Sequence, residues 1–87
     1  MDKQLISTDL APKAIGPYSQ AIRVGNFLFC SGQIPLDPET AQVVGTNVVE
    51  QTKRVMQNVT GLLKSQGLGA QNIVKTTVFL KNMGDFG

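Results

Sequence analysis

The most regular hydrophobic pattern in the chain runs from Asn47 to Gln66 and predicts an amphipathic helix. Apolar side chains recur there at steps of three and four residues, which is the spacing of one helical face. Asn47 and Glu50 are placed as an N-terminal capping box, and Gly67 is placed as a C-terminal cap. The apolar face is expected to pack into the core; it comprises Val48, Val49, Thr52, Val55, Met56, Val59, Leu62 and Leu63. Gly61 interrupts the helix, and its missing side chain predicts close packing on a sheet.

Short runs of β-branched and aromatic residues predict strands elsewhere. Ala21–Val24 and Phe27–Cys30 flank the link Gly25-Asn26, which suits a tight primed turn, so these residues predict a β-hairpin. A short opening strand is expected within residues 3–8. Ile73–Leu80 is β-branched on both faces, which predicts a strand that is covered on both sides. The helix would then connect the hairpin to this strand by a right-handed parallel crossover.

The stretch Ser31-Gly32-Gln33-Ile34-Pro35 follows the most apolar strand of the first half. Gly32 has no Cβ, so another group could approach its backbone closely, and Pro35 ends any ladder because it has no N–H. One interpretation is an ordinary exit from a strand into a turn. The other is the floor of a small-ligand site, with the Ser31 hydroxyl beside bare peptide groups.

A second stretch, Gly16-Pro17-Tyr18-Ser19-Gln20, holds the only tyrosine of the chain in a loop that Pro17 makes rigid. The ring of Tyr18 has an apolar face, and its hydroxyl forms hydrogen bonds. Tyr18 therefore either caps the edge of the core or forms the wall of a pocket. The local sequence does not separate these two interpretations.

Composition narrows the choice of function. The 87 residues allow one domain, and the 41% of apolar and 16% of charged residues are typical of a globular protein. A net charge of +2 without a basic cluster does not favour nucleic-acid binding. The chain has no histidine and one cysteine, which argues against a zinc site and a Ser-His-Asp triad.

Cys30 is expected to be a small buried thiol in a reducing compartment. With no signal-peptide pattern and no membrane-spanning run, we expect a cytoplasmic location.

The two loop stretches also carry a resemblance to a known family. The chain resembles the RidA/YjgF family of reactive-intermediate deaminases over nearly its whole length. Individually short motifs in the family's order and spacing support this; they are Ile6-x-Thr8, Ala11-Pro12-x-Ala14-Ile15-Gly16-Pro17-Tyr18-Ser19-Gln20, Ser31-Gly32-Gln33-Ile34-Pro35-x-Asp37-Pro38, Gln51-Thr52, Asn58 and Val74-Lys75-Thr76-Thr77-Val78-Phe79.

The resemblance implies an α+β fold with a mixed sheet backed by helices, of the chorismate-mutase-like type, as one domain over residues 1–87. It implies homotrimers with ligand sites between subunits. The implied reaction is hydrolysis of enamine and imine acids such as 2-aminoacrylate to 2-keto acids and ammonia, without a cofactor or metal. The family's pocket tyrosine falls on Tyr18 and its Ser-Gly strand end on Ser31 and Gly32. Tyr18 and Gly32 are thus the predicted catalytic residues, and Ser31 is predicted to bind substrate.

The chain departs from the family pattern after Phe86. Family members continue through a second helix and further strands that carry a carboxylate-binding arginine, a cysteine and a glutamate. Arg23 and Arg54 lie outside that motif, so the resemblance implies a domain that is incomplete at its C-terminus, with impaired catalysis and an unfilled strand position. The alternatives are a non-catalytic ligand-binding or regulatory trimer, and a translation inhibitor or ribonuclease-like role.

Overall fold

The structure, a computed structural model, describes residues 2–87. Within these residues, three strands form one antiparallel sheet in the order β1-β2-β3, and one long helix follows them in the chain. This confirms the α+β class. The strands are β1 (Lys3–Ile6), β2 (Ala21–Val24) and β3 (Phe27–Cys30), the helix is α1 (Val48–Lys64), and Ala70–Asn72 and Met83–Asp85 form single 3₁₀ turns.

The predicted hairpin forms as β2 and β3, in the register Val24 opposite Phe27. Gly25 has a φ of +58°, whereas Asn26 does not adopt a positive φ. One positive φ at the first loop residue is the pattern of a type II′ turn, whose twist matches that of the flanking strands. The opening strand is also confirmed, as the four residues of β1.

The start of α1 is capped as the sequence predicts. The Asn47 side chain accepts a hydrogen bond of 2.9 Å from the Glu50 backbone N–H. In return, the Glu50 carboxylate accepts a hydrogen bond of 3.1 Å from the backbone N–H of Thr46, one residue before the cap. The reciprocal box is thus shifted by one residue, and it still satisfies two backbone donors at the helix start.

The end of α1 is a Schellman motif at Gly67. The Leu68 N–H donates to the Leu63 carbonyl at 2.9 Å, and the Gly67 N–H donates to the Lys64 carbonyl at 3.0 Å. This pair of bonds places Gly67 at the predicted C-terminal cap. Within residues 2–87, no helix is both long and apolar enough to span a bilayer.

The core lies where the C-terminal half of α1 meets one face of the sheet. Leu62 is 1% exposed and clusters with buried Ile6, Ala11 and Ala21, against which Leu28 packs. The predicted apolar face of the helix is therefore confirmed only at its C-terminal end. Three members of its N-terminal half are exposed, namely Val49, Thr52 and Met56.

The other face of the sheet is apolar and open. We call it the outer face; its apolar members are Leu5, Ile22, Val24, Phe27 and Phe29, which share one side by strand alternation, with Lys3 at its edge opposite Val24. Leu5, Phe27 and Phe29 are 70%, 61% and 62% exposed, and the two phenylalanine ring centroids lie 6.2 Å apart. The sheet is thus covered by the helix on one side only.

Gly61 makes the close approach that its position predicts, but its neighbour is a loop and not a sheet. A Cβ at Gly61 would collide with the backbone carbonyl group of Leu10, in the loop that follows β1. The expectation of packing on a strand was wrong, because this loop lies directly against the helix at that position. Glycine is required there for space.

The prediction of a strand at Ile73–Leu80 was wrong. This segment forms no ladder with any described part of the chain, so the expected crossover is not completed. Val74 and Phe79 are 85% and 92% exposed. A strand needs the backbone of a partner about 4.8 Å away, and residues 2–87 do not place one beside this segment.

The expectation that Cys30 is buried was also wrong, because Cys30 is exposed. It is the last residue of β3, which is an edge strand, so within residues 2–87 one side of it has no neighbouring strand. Nearby atoms still remove enough water from the thiol to raise its pKa above the ordinary value.

Candidate functional site

Tyr18 is positioned by a tight turn after the first loop. Its backbone N–H donates to the carbonyl of Gly16 at 2.9 Å, so Pro17 sits at the apex of a three-residue turn. Half of the Tyr18 side chain, 51%, remains exposed. The turn therefore presents the phenol at the surface and does not bury it in the core.

The end of β3 is tied to this same loop. The Ser31 N–H donates to the Gln20 carbonyl at 3.0 Å, and the Ser31 hydroxyl donates to the Ser19 carbonyl. These bonds hold the backbone that leads into Gly32 alongside the Tyr18 loop. The Ser31 hydroxyl proton is therefore engaged in the fold, although its oxygen retains lone pairs that accept hydrogen bonds.

Gly32 opens onto free space. A Cβ added there would meet no atom of the described chain within 4 Å, and its φ lies outside the left-handed region. Backbone conformation therefore does not require glycine at this position. What the missing side chain provides is access to the peptide groups on either side, as a ligand or an ordered water would need.

A fully buried asparagine holds the segment after Gly32. The Asn58 amide group donates to the carbonyls of Ile34 and Leu36 at 3.1 and 2.9 Å. Its carbonyl oxygen accepts two hydrogen bonds, at 3.1 and 2.8 Å, from the Arg54 guanidinium. Asn58 is 0% exposed. Its two bonds to Ile34 and Leu36 attach this segment to α1, and the two from Arg54 lie within the helix.

A second buried side-chain amide, that of Gln20, holds the loop that follows β1. Gln20 is 4% exposed, and its carbonyl oxygen accepts a hydrogen bond of 2.6 Å from the Thr8 N–H. Its NH₂ group donates to the carbonyls of Thr8, Ala11 and Pro12 at 3.0, 3.2 and 2.7 Å. One side chain thus fixes the whole loop from residue 8 to residue 12 against the start of β2.

Between the segment held by Asn58 and the loop held by Gln20 lies a cleft of about 200 Å³, which we call the Tyr18–Gly32 cleft. It brings together two of the three predicted site residues. Ser31 lies instead on an adjacent, more open recess of about 460 Å³ that shares Tyr18. The cleft is lined by Pro12, Lys13, Ile15, Tyr18, Gln20, Gly32, Gln33, Ile34 and Leu36.

Two ionised carboxylates near this region have structural partners. The Asp37 side chain accepts hydrogen bonds from the N–H groups of Glu39 and Thr40, which lower its pKa, and the charge of Arg54 adds to this. The backbone and hydroxyl of Thr46 lower the pKa of Glu50 in the same way. Neither carboxylate lines the cleft, so their ionisation supports the turn and the helix cap.

The clamping roles of Gln20 and Asn58 were not predicted from the sequence. Asn58 did carry a signal, since it lies between Val55 and Leu62 on the predicted apolar face of the helix. A polar side chain on such a face must find partners when it is buried. Gln20 carried no such signal, because it follows a loop and its partners lie 8 to 12 residues earlier in the chain.

The chain matches a known family model and several known proteins. The family model described as Endoribonuclease L-PSP matches residues 8–87. A RutC family protein of Pyrococcus abyssi is 54% identical over 86 residues, covering 99% of this chain and 68% of the relative. The mouse 2-iminobutanoate/2-iminopropanoate deaminase is 48% identical over 85 residues, covering 98% of this chain and 63% of the relative.

Comparison of the fold with solved structures indicates the same family. The crystal structure of the Escherichia coli YjgF gene product matches with a TM-score of 0.89 and 43% identity, covering 95% of this chain and 65% of that chain. This chain therefore spans roughly two thirds of the length of the proteins it matches. By sequence and by fold, the chain belongs to the RidA/YjgF family, the family of the Endoribonuclease L-PSP model.

Proposed function

We propose that this chain takes part in the hydrolytic deamination of small enamine and imine acids, of the 2-aminoacrylate type, to 2-keto acids and ammonia. The observation that carries the proposal is the Tyr18–Gly32 cleft, in which a phenol and an uncovered peptide edge share one space. The similarity to the mouse 2-iminobutanoate/2-iminopropanoate deaminase supports the same chemistry.

The reaction requires little of a protein beyond the positioning of the ligand and of the attacking water. After the enamine tautomerises to the imine, water adds to the C=N carbon and the nitrogen takes up a proton. The resulting carbinolamine then loses ammonia as its C–N bond breaks and the C=O bond forms. Peptide groups at Gly32 would orient the water or the ligand, and the ring and hydroxyl of Tyr18 would limit how the ligand lies.

The direct test measures keto-acid release from 2-aminoacrylate generated in the assay by a serine dehydratase, above the spontaneous rate. We expect Gly32→Ala to lower the rate by about 10- to 100-fold, because its methyl group displaces the ligand or water. Tyr18→Phe should lower it by about 5- to 10-fold through the loss of one hydrogen bond. Gly87→Ala, where an added Cβ also meets nothing within 4 Å, is the matched control. A wild-type rate equal to the spontaneous rate would contradict the proposal.

Ser31→Ala tests the predicted substrate contact separately. If the Ser31 hydroxyl serves only its bond to Ser19, the free energy of unfolding should fall by about 1 kcal/mol while the rate per folded molecule is unchanged. A loss of rate in the folded variant would support the predicted role of Ser31 in substrate binding.

Assembly into homotrimers, with ligands bound between neighbouring subunits, is part of the proposal. The outer face supports it, since monomeric proteins rarely expose a contiguous apolar surface of this kind. Light scattering coupled to size exclusion should report three copies, and Phe29→Lys on the outer face should shift the population toward monomer. A wild-type monomer would contradict this part alone. A cytoplasmic location also remains a proposal.

Two other functions remain testable alternatives. A non-catalytic ligand-binding or regulatory protein would bind small carboxylic acids in the cleft without turnover. The name of the matched family model, Endoribonuclease L-PSP, favours testing a ribonuclease or translation-inhibitor role as well. RNA binding that weakens steeply with salt would support that role, whereas the small net charge of +2 argues against it.

A further inference from the structure

The Tyr18–Gly32 cleft contains one formal charge. Of the nine residues of the described chain that line it, only Lys13 has a formally charged side chain. The arginines do not contribute, since the Arg54 guanidinium is bound to Asn58 and Arg23 lies on β2. The electrostatic character of the cleft, as this chain forms it, therefore depends on Lys13.

The backbone that carries Lys13 is fixed although its side chain is exposed. The preceding residue, Pro12, accepts a hydrogen bond of 2.7 Å from the buried Gln20 amide group. The backbone that carries the lysine side chain is thus held beside the cleft, and the side chain itself is exposed and has a flexible four-carbon stem. A lysine of this kind acts as a point charge and attracts an anion without requiring a fixed geometry.

We propose that Lys13 selects anionic ligands for the cleft by attracting their carboxylate group. The ligand class is small 2-imino and 2-keto monocarboxylates, as opposed to their neutral amides. This inference rests on the proposed function, which it deepens by assigning the residue that distinguishes acids from uncharged analogues. In water-like surroundings a charge pair at about 4 Å changes affinity by about five-fold.

The experiment titrates ¹⁵N-labelled protein with pyruvate and with pyruvamide, following the backbone amide signal of Gly32. Lys13→Gln should weaken pyruvate binding about five-fold and leave pyruvamide binding unchanged, and Lys13→Arg should restore the affinity for pyruvate. Lys81→Gln is the matched control, because it removes one positive charge outside the cleft. The difference between wild type and Lys13→Gln should disappear at about 1 M salt, where the Debye length is about 3 Å.

The possible failures are distinguishable. Equal affinity of wild type and Lys13→Gln for pyruvate would overturn the role of Lys13 and leave the proposed site standing. Equal weakening by Lys13→Gln and Lys81→Gln would also overturn it, since only the net charge would then matter. If neither compound shifts the Gly32 signal of the wild type, both the inference and the proposed ligand site are wrong.

Discussion

The β2–β3 hairpin and the segment Ile73–Leu80 contain the same strand-forming residue types, yet only the hairpin forms a ladder. In the hairpin, the partner strand lies two residues away and a suitable turn closes the pair. For Ile73–Leu80, no described backbone lies alongside. The difference shows that β-propensity measures how well a residue fits a pleated surface that other strands provide. It does not create that surface.

The largest expected contrast compares the core under the sheet with this unpaired segment. Leu62→Ala should lower the free energy of unfolding by about 3 kcal/mol, because Leu62 is 1% exposed. Phe79→Ala should change it by about 0.5 kcal/mol or less, because Phe79 is 92% exposed. Urea denaturation of both variants measures this. Similar losses would show that Phe79 is covered in solution, and the contrast between the two regions would then fail.

Asn58→Leu should cost about 2 to 3 kcal/mol, because it leaves the carbonyls of Ile34 and Leu36 without their buried donor. Arg54→Gln is the control, since it removes the other partner and preserves both of those bonds. We expect it to cost about 1 kcal/mol. Urea denaturation reports the stabilities, and hydrogen exchange of the Val44 amide, which donates to the Pro35 carbonyl, reports the local loosening. A stable Asn58→Leu variant with unchanged exchange would contradict the clamp.

Two glycines provide a matched comparison of packing with access. Gly61→Ala should cost about 2 kcal/mol, because its methyl group collides with the Leu10 backbone. Gly32→Ala should leave the thermal midpoint unchanged, since its methyl group meets nothing within 4 Å. Thermal unfolding measures both. A destabilised Gly32→Ala variant would show that this position has a structural role beyond access to its backbone.

The smallest expected effect is acid sensitivity from the turn and the helix cap. The folded-state pKa values of Asp37 and Glu50 are lowered by hydrogen bonds, so the unfolded chain takes up protons first as the pH falls. Their stabilisation is complete above the ordinary carboxyl pKa of about 4 and is lost as the pH falls through the lowered values. The double variant Asp37→Asn, Glu50→Gln should flatten the dependence of unfolding free energy on pH below about 4. An unchanged slope would rule out these two groups as its source.

Features that depend on near neighbours were predictable from the sequence. The hairpin turn at Gly25, the N-cap Asn47 and the C-terminal cap Gly67 each involve partners within about five residues. The expected cleft residues Tyr18 and Gly32 do meet in space. Their roles in binding and catalysis stay predictions, because geometry alone does not measure turnover.

Features set by distant partners were not predictable in this way. Asn58 bonds to carbonyls 22 and 24 residues away, and Gln20 bonds to a loop that no periodicity identifies. The exposure of Cys30 depends on whether another strand lies beside β3, which the residue's apolar neighbours do not reveal. In each case the deciding partner is specified by the fold and not by the local sequence.

The outer face has a thermodynamic consequence. Whatever binds this face binds only the folded chain, so by mass action it stabilises that state in proportion to the logarithm of its concentration. If copies of the chain cover the face, the melting temperature will rise with the amount of protein in the sample. The thermal stability of this small domain would then depend on protein concentration as well as on the fold of a single chain.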